Sequence, residues 1–428
     1  MKLLIISSLI TVTTFAKSEV YNLGQSLFFD KLISGNRNIS CSSCHHPLTG
    51  TSDALALGLG EGALGLGMSR TDQNTHGIKN VHERVPRNSP VLWNVGHKSK
   101  TRYFHDGRVE LNPNFPNGFK TPEGMNLPDG LDDLLAAQAL FPITSQTEMA
   151  GQGDENDISR QAAAGNISGP TGVWRIIEIR LQGNQNYVNA FKKAFPNEIK
   201  EKEDIKISHY ANAISRYQRE TFKSFDSPYD HYIAGDVDAM KESAKRGYEV
   251  FTTKGRCFEC HTGNLFSDEK FYSLGFPQIG PGKGHGENGL EDFGRAGITK
   301  VKSERYKFMT PTLRNIALSA PYGHAGTFES LKDVIKAHFH KDGGLSLITK
   351  ENLRLPNVEG FRPHDFYVIG KRILRQKILS TRDDRVPMLT DKEVEDLVSF
   401  LHALTDLNCL DMNLVIPKKV LSGLPVHN

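Results

Sequence analysis

Cys41-Ser42-Ser43-Cys44-His45 and Cys257-Phe258-Glu259-Cys260-His261 share one arrangement: two cysteines separated by two residues, with a histidine directly after the second. This is the attachment pattern for c-type haem, in which the thiols bond to the porphyrin edge and the imidazole ligates iron from one face. Cys-x-x-Cys pairs also serve as redox dithiols, disulfides or halves of zinc sites. A thioredoxin-like dithiol calls for a βαβ context that neither copy shows. A zinc site would have to join pairs from opposite halves of the chain while passing over both adjacent histidines. Four of the five cysteines fall in the two motifs. Two covalent haems are therefore expected, one on Cys41, Cys44 and His45 and one on Cys257, Cys260 and His261. Cys409 is left over and reads as a buried or idle thiol.

At 428 residues the chain has room for two or three domains, and the duplicated motif suggests two. A hydrophobic content of 38% and a charged content of 24% exclude disordered and membrane-embedded classes. The net charge of +3 gives no argument for a nucleic-acid partner. Residues 1–16 read as a secretory signal: Lys2 gives the positive start, 3–10 the apolar run, and Thr14-Phe15-Ala16 the small-residue cleavage pattern. The run is too short for a membrane span. The expectation is an exported, soluble, periplasmic protein, which agrees with haem attachment outside the cytoplasm.

Helices must position the motifs. Leu23, Leu27, Phe28 and Ile33 give 21–32 a helical spacing, followed by a polar turn and the first motif. Alternating glycine and small apolar residues make 54–67 an ordered loop. Helical patterns follow at 131–139, 173–195 and 207–222, and a boundary at 224–238, with Pro228 and Gly235, divides the chain into domains 17–225 and 226–428. An amphipathic segment at 238–252 then leads into the second motif, so the order helix then CxxCH occurs twice. The glycine-rich stretch 276–302 reads as loop and 329–340 as helix. Thr390-Asp391-Lys392-Glu393 is a capping box that opens a helix ending near Leu404, with Val394, Leu397, Val398 and Leu401 on one face. Nothing predicts a sizeable sheet; the class is mainly α with long loops.

From about Tyr21 to Leu404 the order of motifs resembles the bacterial di-haem cytochrome c peroxidase family, to which the MauG-type enzymes also belong. The resemblance implies two cytochrome c-like haem domains, the N-terminal one reacting with peroxide at the His45 haem and the C-terminal one transferring electrons through the His261 haem. The family places a distal glutamine ten positions before a catalytic glutamate followed by methionine; Gln138, Glu148 and Met149 stand at those offsets, with Pro142 at the family's proline position. A carboxylate there has a chemical reason: bound peroxide must lose a proton from its inner oxygen and gain one on its outer oxygen, and one group can make both transfers. Without the flanking motif, a surface glutamate would be the simpler reading of Glu148.

The family's sixth ligand to the electron-transfer haem, methionine in the peroxidases and tyrosine in MauG, lies 14 positions after the histidine matching His324. That position holds His338, with Met309 and His340 as fallback ligands. A second imidazole lacks the potential-raising effect of methionine, so this haem is expected to be a poorer electron acceptor. The tryptophan that the family has before Asp-Gly-Arg is replaced by His105, before Asp106-Gly107-Arg108, which leaves tunnelling or Trp93 as routes between the haems. The histidine that blocks the active haem in many members has His82 as its nearest counterpart, two residues out of register, ahead of His76 and His97. A calcium ion between the domains is implied by Asn88, Ser319 and Pro321, through one side chain and two backbone carbonyls.

The resemblance thus implies a peroxidase reducing hydrogen peroxide with electrons from a cytochrome c or cupredoxin. The alternatives are a MauG-like oxidase acting on side chains of a protein substrate, and a plain di-haem electron carrier. The natural donor and the oligomeric state, homodimer included, stay open.

Overall fold

The computed structural model describes residues 17–72, 81–115, 117–358, 360–383 and 386–426. The proposed signal segment and His76 lie outside the described residues. The first half contains α1 (Glu19–Phe29), α2 (Leu134–Ala139), α3 (Val173–Gln182), α4 (Gln185–Ala194) and α5 (Ile207–Thr221); the second contains α6 (Glu242–Thr252), α7 (Leu331–Phe339), α8 (Arg372–Leu379) and α9 (Asp391–Ala403). Strands among the described residues form three small antiparallel sheets: β1 (Ala63–Leu64) with β2 (Thr71–Asp72), β3 (Arg102–Tyr103) with β4 (Val109–Leu111) and β5 (Phe119–Lys120), and β6 (Phe271–Tyr272) with β7 (Phe308–Met309). The mainly helical expectation holds.

The helix starts follow local side-chain chemistry. Asp133 caps α2 through the Ala136 N–H at 2.8 Å, Ser330 caps α7 through Asp333 N–H at 3.1 Å, and Thr390 and Glu393 form the expected reciprocal box on α9. The pattern at 173–195 is two helices, because Asn184 takes the N–H groups of Asn186 and Tyr187 and starts a new helix after Gly183.

The two largest cores among the described residues each rest on one close helix crossing. In the first, α1 packs along α5, where a Cβ on Gly24 would stand 1.9 Å from the Ala213 carbonyl oxygen; Tyr21, Phe28 and Tyr217 fill the seam. In the second, α6 packs along α9, where a Cβ on Gly247 would stand 1.9 Å from the Asp396 carbonyl; Phe251 and Phe400 meet there at 5.1 Å. Only glycine allows backbones this close. Each glycine helix runs towards a haem motif, so the sequence repeat is also a packing repeat.

After α9 the chain crosses back. Cys409, Met412 and Val420 are buried in the first core, Gln25 Nε2 donates to the Val415 carbonyl at 2.9 Å, and Ser422 Oγ donates to Asp30 at 2.7 Å. Buried ion pairs also tie the halves together. Arg87 donates to Asp106 at 2.6 Å and to both oxygens of Asp292 at 2.6 and 2.8 Å, and Arg295 to Glu110 at 2.9 Å.

Candidate active site

Between the two cores lies one continuous cavity of about 470 Å³. Cys41, Cys44 and His45 line it from one side and Cys257, Cys260 and His261 from the other. The first motif is a one-turn helix, Cys41–Cys44, and the second a 3₁₀ turn, Cys257–Glu259; each puts its histidine just past the turn, with the histidine N–H bonded back to the first cysteine's carbonyl at 2.9 Å. His45 Nδ1 faces the Thr51 carbonyl at 3.1 Å and Ser89 Oγ at 3.3 Å, while His261 Nδ1 faces the Phe266 carbonyl at 3.0 Å. A backbone carbonyl on Nδ1 fixes the tautomer and leaves Nε2 for a metal. Burial lowers the pKa of both rings, which favours the neutral, ligating form.

Haem fits these residues. All four motif cysteines are free thiols, and burial pushes Cys41, Cys44 and Cys257 up to about 12, against a thiolate role. Two buried cavity-lining nitrogens, Trp93 Nε1 and His324 Nε2, have no hydrogen-bond partner among the described residues, as expected where a further polar group belongs.

Glu148 and Gln138 line the same cavity. Gln138 comes from α2. Glu148 stands on a single π turn, Gln146–Ala150, in which the N–H groups of Glu148, Met149 and Ala150 converge on the Ser145 carbonyl at 3.2, 3.0 and 2.9 Å. Such turns occur often at functional sites. The loop before β1 backs it so closely that a Cβ on Gly60 would lie 1.9 Å from the Thr147 carbonyl. Glu148 interacts electrostatically with Cys44, which places the carboxylate on the first-motif side.

His338, in the last turn of α7, lines the cavity on the second-motif side; its Nδ1 is 2.6 Å from the Val334 carbonyl and its ring stands edge-on to Phe276 at 5.3 Å. Burial, with His261 nearby, lowers it to about 4. His340 turns to Asp342 at 2.5 Å and is not among the lining residues, whereas Met309 is. His105 is half-buried, with Nε2 at 3.0 Å from the Asn88 carbonyl, and desolvation and Arg87 lower its pKa to about 4. Trp93 is buried edge-on to Phe222 at 6.1 Å. Asn88, Ser319 and Pro321 share one cavity; the Asn88 amide donates to the Leu55 carbonyl at 2.8 Å. His82 is drawn to the surface by Glu155 at 3.3 Å, and His97 packs on Phe225; neither lines the cavity.

Lys283, on the glycine-rich loop, also lines the cavity, and sequence reasoning missed it. Burial together with Arg108 and Arg87 lowers its pKa, while Glu148 opposes the shift. A single lysine among glycines carries no signal; only the fold brings it into the cavity that Glu148 lines, from the other half of the chain.

The sequence model described as di-haem cytochrome c peroxidase matches residues 18–238. Relatives include the methylamine utilization protein MauG of Methylorubrum extorquens, 29% identical over 75% of this chain and 68% of its own length. Cytochrome c551 peroxidase of Pseudomonas aeruginosa is 29% identical over 73% of this chain and 69% of its own. A solved MauG-like protein associated with microbial copper homeostasis superposes with a TM-score of 0.57 at 26% identity, covering 95% of both chains. With its two haem motifs facing one cavity and this match over half its length, the chain belongs to the di-haem cytochrome c peroxidase family.

Proposed function

We propose that the protein is an exported, periplasmic peroxidase that reduces hydrogen peroxide at the His45 side of the cavity, with electrons from a small redox protein arriving at the His261 side. The observation that carries this is the asymmetry of the cavity: a carboxylate on a π turn lies towards the first motif and an imidazole towards the second. Bound haem supplies the redox iron on each side, held by His45 and by the pair His261 and His338. The chain's own residues do the rest. Glu148 takes the proton from the inner oxygen of peroxide and returns it to the outer one; Gln138 helps to orient the peroxide; Lys283 adds a cation to the same cavity wall. His82, held by Glu155, leaves the first side open. A calcium ion held by Asn88, Ser319 and Pro321 would brace the wall between the halves.

Glu148→Gln tests the reading. The variant should keep both haems and slow the reaction with peroxide by about 10²-fold or more, the worth of a general acid-base group. An unchanged rate would remove Glu148 from the chemistry. A second reading, oxidation of a partner protein's side chains, is favoured by His338 standing where the peroxidases have methionine. A partner whose mass changes on turnover with peroxide would establish it, and two haems that ignore peroxide in every redox state would leave an electron carrier.

A further inference from the structure

Four tyrosines line the haem cavity, and their hydroxyl partners divide them. Tyr103 donates to the Val95 carbonyl at 2.8 Å and Tyr322 to the Ile316 carbonyl at 3.1 Å, groups that cannot take a proton. Tyr306 donates to Glu291 at 2.5 Å, but Lys377 grips the same carboxylate at 2.9 and 3.0 Å and weakens it as a base; the ring is 2% exposed. Tyr272 donates to Asp268 Oδ2 at 2.7 Å; Asp268 Oδ1 accepts the backbone N–H of Lys270 at 2.9 Å, and no lysine or arginine side chain pairs with this carboxylate among the described residues. Tyr272 is half-buried, so it reaches both the cavity and the surface.

Its position relative to the second motif is equally specific. The Asp268 N–H bonds the Cys260 carbonyl at 2.8 Å, and the Tyr272 hydroxyl has the Cys260 sulfur as a second neighbour. That sulfur is the atom that bonds to the porphyrin edge. Tyr272 also pairs, as the last residue of β6, with Phe308, whose ring stacks on His324 at 3.8 Å in the wall between the halves.

We propose that Tyr272, with Asp268 as its proton acceptor, is a redox relay that passes single electrons between the second haem and the protein surface. The inference rests on the peroxidase reading, which supplies the oxidant. When peroxide has oxidised the haem pair, Tyr272 gives up one electron to the second haem. Its O–H bond breaks as the proton moves to Asp268 Oδ2, leaving a neutral phenoxyl radical beside a carboxylic acid. A phenol that loses an electron becomes a strong acid, so a carboxylate already hydrogen-bonded to it lets both transfers occur without a high-energy cation. An external one-electron donor then reduces the radical and Asp268 returns the proton. Two such events per peroxide deliver both electrons. The relay gives the second haem an outlet that does not use His105.

The test uses the di-haem protein mixed with hydrogen peroxide in the absence of a donor, freeze-quenched, and followed by optical and EPR spectra. Wild type should give a tyrosyl signal, identified by ring-deuterated tyrosine, that Tyr272→Phe loses and Tyr306→Phe keeps. Asp268→Asn should lower its yield at least about tenfold, as loss of a general base requires, and make the yield rise with pH. A tyrosyl signal that survives in Tyr272→Phe, that follows Tyr306, or that never forms although the haem spectrum responds to peroxide would overturn the relay alone. A haem spectrum that ignores peroxide in every redox state would overturn the peroxidase reading and the relay with it.

Discussion

Between the cysteines of the first haem motif, Ser42 and Ser43 are 3% and 8% exposed; between those of the second, Phe258 is 44% exposed and Glu259 faces solvent. The helical frame behind the two motifs is alike, a glycine helix crossed closely by a later helix, so the difference lies in what was added to it. The first motif has its intervening residues buried, and Glu148 stands on its side of the cavity. The second is carried at the surface and faced by His338. Peroxide chemistry needs proton control and a shielded site, whereas electron exchange needs an edge within reach of another protein. The proposed division of labour assigns one side to each task.

Exchange of properties between the two sides should therefore fail in different ways. The largest effect is expected from Glu148→Gln, about 10²-fold or more on the peroxide step with no change in the second haem's spectrum. His338→Gly should convert one low-spin haem to high-spin and leave the first motif's haem alone; an unchanged EPR spectrum would sink the assignment of His338 as an iron ligand. Phe258→Asp should slow electron uptake from a donor protein about tenfold, the worth of a moderate interface anchor, while the pre-reduced protein still reacts with peroxide at the wild-type rate. Loss of peroxide reactivity in that variant would break the division of labour between the sides.

Part of this contrast was legible in the residues, because covalent haem attachment writes its own spacing, and the offset that the resemblance implied picks out Gln138 and Glu148, which line one cavity. The helices were legible wherever apolar residues recur at three and four, as in α1, α5 and α9. What could not be read was whatever joins distant segments. The returning strap at 405–426 buries Met412 and Val420 without any periodicity. Arg87 meets Asp292 across 205 positions, and Lys283 reaches the cavity that Glu148 lines from a loop whose glycines announce only flexibility. His82 was close to its expected register, yet Glu155, from a segment with no helical or strand signal, holds it at the surface. Tyr272 and Asp268 are four apart in a stretch that is not helical, so their spacing implied no contact.

The charged seam between the halves allows an effect on stability, not on turnover, to be worked out with its sign. Burial pushes the Asp292 carboxyl up, and Arg87 more than reverses this, leaving it at about 2 against an ordinary 3.8. Asp106, on the same guanidinium, is likewise held well below the usual range. A carboxylate whose folded pKa is depressed contributes stability above its unfolded pKa and loses it as pH falls through the folded one. The Asp292 contribution is therefore complete above about pH 4 and fades towards about pH 2, a loss on the order of 2 kcal/mol. Urea unfolding of the di-haem protein across that window should show wild type losing its advantage over Asp292→Asn as the acid is added. Because Arg87 spans both halves, the loss should come with separate unfolding of the two cores, seen as a transition that splits in two when the haem absorption of each side is followed. A single transition with a constant gap between wild type and variant would show that the seam does not hold the sealed side against the open one.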